Sequence, residues 1–176
     1  AVMRFSLNGL AGPTIQSAII NLYIEESRKD QSPAPGVITS TPPFINPGLG
    51  DTQIIHIADY VTPGVAAYNS PSIGNDPGTI IPAGFQPLTR QVSLDVKAAM
   101  QQAINSGFSF VTFRIQTATE TDGDSQNDLW FFSSGNALDP AQQPNLVLTA
   151  LPEPGSLLLV TLGTGVLAVR RRARAF

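Results

Sequence analysis

His56 is the one imidazole in the chain, and it sits in an apolar run, Gln53-Ile54-Ile55-His56-Ile57. As a general base for a serine nucleophile it would need an orienting acid on its own side. Asp59 is three residues on, which places it on the opposite face of an ideal strand. No Gly-x-Ser-x-Gly elbow is present. His56 is therefore expected at an ordinary strand position. A second cluster, Glu120-Thr121-Asp122-Gly123-Asp124-Ser125-Gln126-Asn127-Asp128, concentrates oxygen ligands. Asp122, Asp124 and Asp128 could give three oxygens to Ca²⁺, but the spacing is not that of an EF-hand. The alternatives are a calcium site and a solvated hairpin loop, with the loop expected; a melting temperature indifferent to added calcium would remove the site. Third, Trp130, Phe131 and Phe132 are consecutive, so in a strand their rings alternate between faces. One face is core. The other either lies under a loop or shows a ring for stacking on a sugar, and Trp130 is the candidate glycan contact. Burial is the expected arrangement. There is no Walker loop, dinucleotide fingerprint or His-Glu-x-x-His pair.

Those residues need a frame, and the composition limits which one. Charged residues are 13% of the 176, while glycine and proline number 15 each. That balance suits strands joined by turns better than helices faced with Glu and Lys. Cysteine is absent, which excludes disulfides, thiolate metal sites and cysteine nucleophiles. The formal charge is −3, and four of the ten cationic residues fall in the last seven positions. A nucleic-acid partner would need a basic stripe on the body, so none is expected.

Alternation marks the elements. Val2 to Leu7 reads as a half-buried strand, and the β-branched run Ser17 to Ile24 as a central one. Gln53–Tyr60, Arg90–Leu94, Phe108–Gln116, Leu129–Ser133 and Asn145–Ala150 add further strands. Glu25-Glu26 and Arg28-Lys29-Asp30 read as a solvated strand end. Residues 31 to 50 carry Ser-Pro-Ala-Pro-Gly, Thr-Pro-Pro-Phe and Asn-Pro-Gly-Leu-Gly, and 62 to 88 repeat such punctuation. The first is expected to be a long exposed connection. One segment has helical period: Val96, Ala99, Met100, Ala103 and Ile104 share a stripe, with Asp95 placed to cap and Gly107 to close. The chain opens inside an alternating stretch, so a further strand is expected to precede it.

The last 25 residues read differently: Pro152-Glu153-Pro154, then no charge from Gly155 to Val169, then Arg170, Arg171, Arg172 and Arg174. Fifteen residues make a helix of about 22 Å, against a hydrocarbon core of about 30 Å. The span is short for permanent residence but adequate for a transient anchor, and the arginines should remain cytoplasmic, with residues 1–151 on the far side. The prolines make an extended, accessible spacer.

In that order the three elements resemble the PEP-CTERM sorting signal of Gram-negative bacteria. The resemblance implies export, recognition by an exosortase-type membrane protease, removal of the tail, and delivery to the cell surface or extracellular polymeric matrix. Pro152, Glu153 and Pro154 match its recognition motif, and Arg170 to Arg172 its basic stop. The body is similar to DNRLRE-type β-sandwiches, related to carbohydrate-binding modules: Met3-Arg4-Phe5-Ser6-Leu7, Ser17-Ala18-Ile19-Ile20-Asn21-Leu22-Tyr23, Asp95-Val96-Lys97-Ala98-Ala99-Met100 and Pro144-Asn145-Leu146-Val147-Leu148-Thr149-Ala150 stand where that pattern has its landmarks. The family's Phe-x-Ser-x-Glu is here Phe131-Phe132-Ser133-Ser134-Gly135, without the acid. This second resemblance implies polysaccharide binding or a purely architectural role.

The expectation is thus an all-β fold: an antiparallel, jelly-roll-like β-sandwich with one short helix at 1–150, then a sorting segment at 151–176 with an apolar helix at 155–169 and a basic tail at 170–176. The function expected is that of a non-enzymatic exported surface or matrix protein with no cofactor, calcium at 122–128 aside. Its partners would be the exosortase-type protease, the membrane before cleavage, and exopolysaccharide. The alternatives are a secreted polysaccharide-active enzyme on the same scaffold and a permanently anchored surface protein.

Overall fold

The computed structural model describes residues 1–10, 14–29, 36–45, 47–58, 69–117 and 129–151. They form two antiparallel sheets packed face to face, with one helix at an end. The strands are β1 (Val2–Ser6), β2 (Thr14–Lys29), β3 (Val37–Thr39), β4 (Thr52–Ile57), β5 (Gly78–Ile81), β6 (Gln91–Asp95), β7 (Phe110–Thr117), β8 (Leu129–Phe132) and β9 (Asn145–Leu151); the helix is α1 (Lys97–Asn105). The first sheet runs β1-β7-β4-β5. The second is built on β2, which pairs with β3, β6, β8 and β9.

β2 is the spine because it is long, uncharged from Thr14 to Ile24, and β-branched enough to stay extended. Ile24 N–H donates to Arg90 O (2.7 Å), whereas Ser133 N–H donates to Tyr23 O (2.9 Å). Successive residues of a strand point their amides opposite ways, so these bonds define its two edges. β6 and β3 therefore follow one another along one edge, and β9 and β8 along the other.

The inward residues of β2 are Ile15, Ala18, Ile20, Leu22, Ile24 and Ser27, all at 1% exposure or less. The period of two slips at two places. Both slips are bulges, one between Ile15 and Ser17 against β9, the other between Ile24 and Glu26 against β8. The first extra residue returns Ala18 to the core, and the second places Ser27 there. Facing them from the first sheet are Ile54 and His56 of β4 and Val111, Phe113 and Ile115 of β7. Phe113 lies 6.4 Å from Phe5 and 5.8 Å from His56, ring centre to ring centre.

α1 connects β6 of one sheet to β7 of the other and closes that end of the sandwich. Its stripe Ala99, Met100 and Ala103 is fully buried. The cap differs from the sequence reading. Val96 is the N-cap, without a side-chain bond, and Asp95 stands one residue earlier, where its Oδ1 accepts from Lys97 N–H (2.7 Å). Gly107 closes the helix as expected: at φ +69° it allows Phe108 N–H to reach Ala103 O and its own N–H to reach Ile104 O.

Two segments punctuated by proline and glycine carry structure, the first of them expected to be an exposed connection. β3 lies inside 31–50, and Phe44 there is fully buried. β5 lies inside 62–88, with Ile80 and Ile81 in the core. Arg90 holds the first in place. Its guanidinium donates to the carbonyls of Ile24 (3.4 Å), Glu25 (3.2 Å) and Ser40, and lies 5.6 Å from the Tyr23 ring and 5.8 Å from that of Phe44. Arg90→Ala removes a charged donor set that serves three carbonyls, and should cost about 2 kcal/mol. Urea denaturation reads this as a lower midpoint with an unchanged slope.

The last strand runs one residue beyond the boundary expected at 150, to Leu151, which pairs with Thr14. The segment with the expected apolar helix at 155–169 lies outside the described residues. Among those described, no helix is long and apolar enough to cross a membrane.

Candidate functional site

Sheet pairing puts partners on the same face, so the outward residues of the β2 sheet follow from its register. Ser17 faces Thr149. Ile19 lies between Asp95 and Val147, Asn21 between Ser93 and Asn145, and Tyr23 beside Gln91. Three of these are joined across three strands. Ser93 Oγ donates to Asn21 Oδ1 (2.6 Å), and Asn21 Nδ2 donates to Asn145 Oδ1 (2.8 Å). The row is uncharged, with Ser93 and Asn145 exposed and Asn21 half-buried between them. It is edged by Asp95 at one corner and by Arg90, over Tyr23, at the other. Amide and hydroxyl groups fixed by their neighbours can exchange hydrogen bonds with a hydroxylated ligand at small entropic cost.

Beside this face a groove of about 410 Å³ opens between the 75–77 segment and the start of α1. Asn75, Asp76, Asp95 and Lys97 line it, with Asp95 common to groove and face. Each carboxylate is positioned through one oxygen: Asp76 Oδ1 accepts from His56 N–H (2.8 Å), as Asp95 Oδ1 does from Lys97 N–H. Asn75 adopts φ +53° and donates through Nδ2 to Gln102 Oε1 (2.9 Å).

His56 is fully buried. Its Nδ1 lies 3.0 Å from Gly74 O. A carbonyl only accepts, so Nδ1 carries the hydrogen. Nε2 has no hydrogen-bond partner among the described residues. At zero exposure, against the Phe113 ring, His56 has no route to a substrate. The strand position expected for it is the one observed, while Asp59 lies outside the described residues.

The aromatic triplet resolves by register. Trp130 pairs with buried Ser27 and Phe132 with Ile24, so both rings pack on the core. Trp130, the candidate glycan contact, thus stands on the inner side of its strand and is half-buried there. The outward ring is Phe131, with Arg28 4.5 Å above it and Arg28 in turn bound to Glu26. Ser133 donates through Oγ to Glu25 Oε1 (2.8 Å).

No protein-family model matches the chain, and no curated protein matches it.

The sorting residues Pro152, Glu153 and Pro154, the basic stop Arg170, Arg171, Arg172 and Arg174, and the calcium candidates Asp122, Asp124 and Asp128 all lie outside the described residues. Among those described, no three His, Cys, Asp or Glu side chains gather as a metal site. The Asn21–Ser93–Asn145 row was not singled out in the sequence. Its residues are ordinary polar positions of three alternating segments, and only strand pairing brings them together. The groove at Asp76 depends likewise on a loop that follows a punctuated stretch with no periodic signal.

Proposed function

We propose that this protein is an exported, non-catalytic β-sandwich of the cell surface or extracellular matrix, sorted through a cleavable C-terminal signal, with the outer face of the β2 sheet as its polysaccharide-binding surface. The observation that carries the reading is the junction at residue 151. β9 ends at Leu151, and Pro-Glu-Pro, the uncharged run and the arginines follow without an intervening linker. A folded body that stops where an extended proline spacer begins leaves the spacer accessible to a membrane protease. The jelly-roll-like scaffold of the resemblance is part of the same proposal.

The sugar-binding half rests on the uncharged row around Asn21. The half-buried rings of Tyr23 and Phe131 lie further along the same face, each with an arginine guanidinium over it. Affinity electrophoresis in gels containing neutral or acidic polysaccharides tests it. The expected result is retardation by at least one polymer that weakens on Asn21→Ala. Unretarded migration in every polymer would leave an architectural role. Release of reducing ends from the same polymers would instead favour the polysaccharide-active enzyme, and a full-length chain retained in the membrane would favour the permanent anchor.

A further inference from the structure

One end of the sandwich carries no carboxylate among the described residues, and one cation borders it: the Arg4 guanidinium lies 3.4 Å from the centre of the Phe110 ring. Three stretches build it: residues 5–24, 98–113 and 140–151, none of which contains Asp, Glu, Lys or Arg. By contrast, residues 1–151 as a whole hold twelve acidic and six basic side chains. The stretches meet at the turn after β1 and the C-terminus of α1, where Leu7 N–H donates to Ser109 O (2.9 Å). A groove of about 290 Å³ lies there, with Leu7, Leu10, Ile104 and Phe108 in its walls. Leu7 is buried, while Leu10, Ile104 and Phe108 are half-buried, so apolar surface reaches the mouth.

This is also the end from which the chain leaves the fold. Leu151 pairs with Thr14, and β2 starts there, three residues after Leu10. The uncharged run begins at Gly155. The three residues between can span at most about 10 Å when fully extended. With the tail in a bilayer, the end of the sandwich is held at headgroup level by chain length alone. Any orientation that turned carboxylates toward anionic headgroups would be repelled, and this end presents none among the described residues.

We propose that this acid-free end, the Leu7–Leu10 turn with Gly107–Ser109, docks on the lipid surface while the tail is attached, and that the partner of the Leu10–Phe108 groove is the bilayer interface. The inference rests on the sorting-tail reading and adds an orientation: β2 stands away from the membrane, with its Lys29 end distal. Removal of the tail then frees the whole domain, because a groove of this size alone is too small to hold it on lipid.

The absence of cysteine allows a clean test. Asn8→Cys, Ser109→Cys and, at the opposite end, Ala83→Cys are each labelled with an environment-sensitive fluorophore in the full chain. The chain is reconstituted into phosphatidylcholine vesicles containing phosphatidylglycerol and a lipid-phase quencher. Labels at Asn8 and Ser109 should be quenched at least about twofold more than the label at Ala83, and a ten-residue Gly/Ser spacer inserted after Leu151 should reduce that excess. Equal quenching at Asn8 and Ala83 in a chain that survives alkaline washing of the vesicles would overturn the docking and leave the tail reading intact. A chain that washes off would overturn both.

Discussion

Phe113→Ala is expected to destabilise the protein by about 4 kcal/mol, the largest effect of any single truncation. Phe113 is fully buried in β7 and lies between His56 and Met3 in the first sheet's register. Its ring meets those of Phe5 and His56. Truncation removes the transfer free energy of a phenyl group and leaves a cavity bounded by two sheets, which cannot collapse without shifting β1 and β4 together. Domains of this size are typically stable by about 5–15 kcal/mol, so one substitution takes a large share. Urea denaturation followed by Trp130 fluorescence would show the midpoint fall. A loss below about 1 kcal/mol would mean that the sheets do not pack through this ring.

The second large effect concerns the other end of the chain. Replacing Arg170, Arg171, Arg172 and Arg174 by glutamate should lower the amount of correctly sorted protein by on the order of tenfold or more, since one charge crossing a 100 mV potential is worth about 2.3 kcal/mol. On the proposed sorting route the arginines would resist translocation, because fixed guanidinium groups cannot shed their charge to pass. Glutamates offer no such stop, and a short uncharged run has little hydrophobic free energy to hold the chain alone. The variant should appear unprocessed, either released or misoriented, when cell fractions are separated and probed with protease. Sorting at the unaltered level would remove the electrostatic basis assigned to the tail.

These two effects draw on different parts of what could be read from residues alone. The central strand at Ser17–Ile24 and the helix at Asp95–Gly107 were legible because periodicity and burial coincide there over a full element. The reading fell short at β3 and β5. β3 has three residues and β5 four, too few to show alternation, and both stand among prolines and glycines that also mark turns. Burial of Phe44 was hidden for the same reason, since its partners are Arg90 and the 87–88 segment, far away in sequence. The two bulges in β2 shift its inward face without any glycine to announce them. They are set by pairing with β8 and β9, so no local pattern carries them.

The candidate site divides in the same way. His56 was legible as a strand residue from its isoleucine neighbours. Trp130 was not, because three adjacent rings leave open which face is inner, and the bulge at Glu25 decides it. Asn21, Ser93 and Asn145 have unremarkable sequence surroundings. They become a surface through a register that joins positions up to 124 residues apart.

The central claim is that residues 152–176 are an address that is read and then removed. Intact-mass measurement of the protein recovered from the surface or medium of a host with the processing protease tests it most directly. The account predicts a chain that terminates close after Leu151 and lacks both the uncharged run and the arginines. A mass that still includes Arg170–Phe176 on the recovered protein would contradict it.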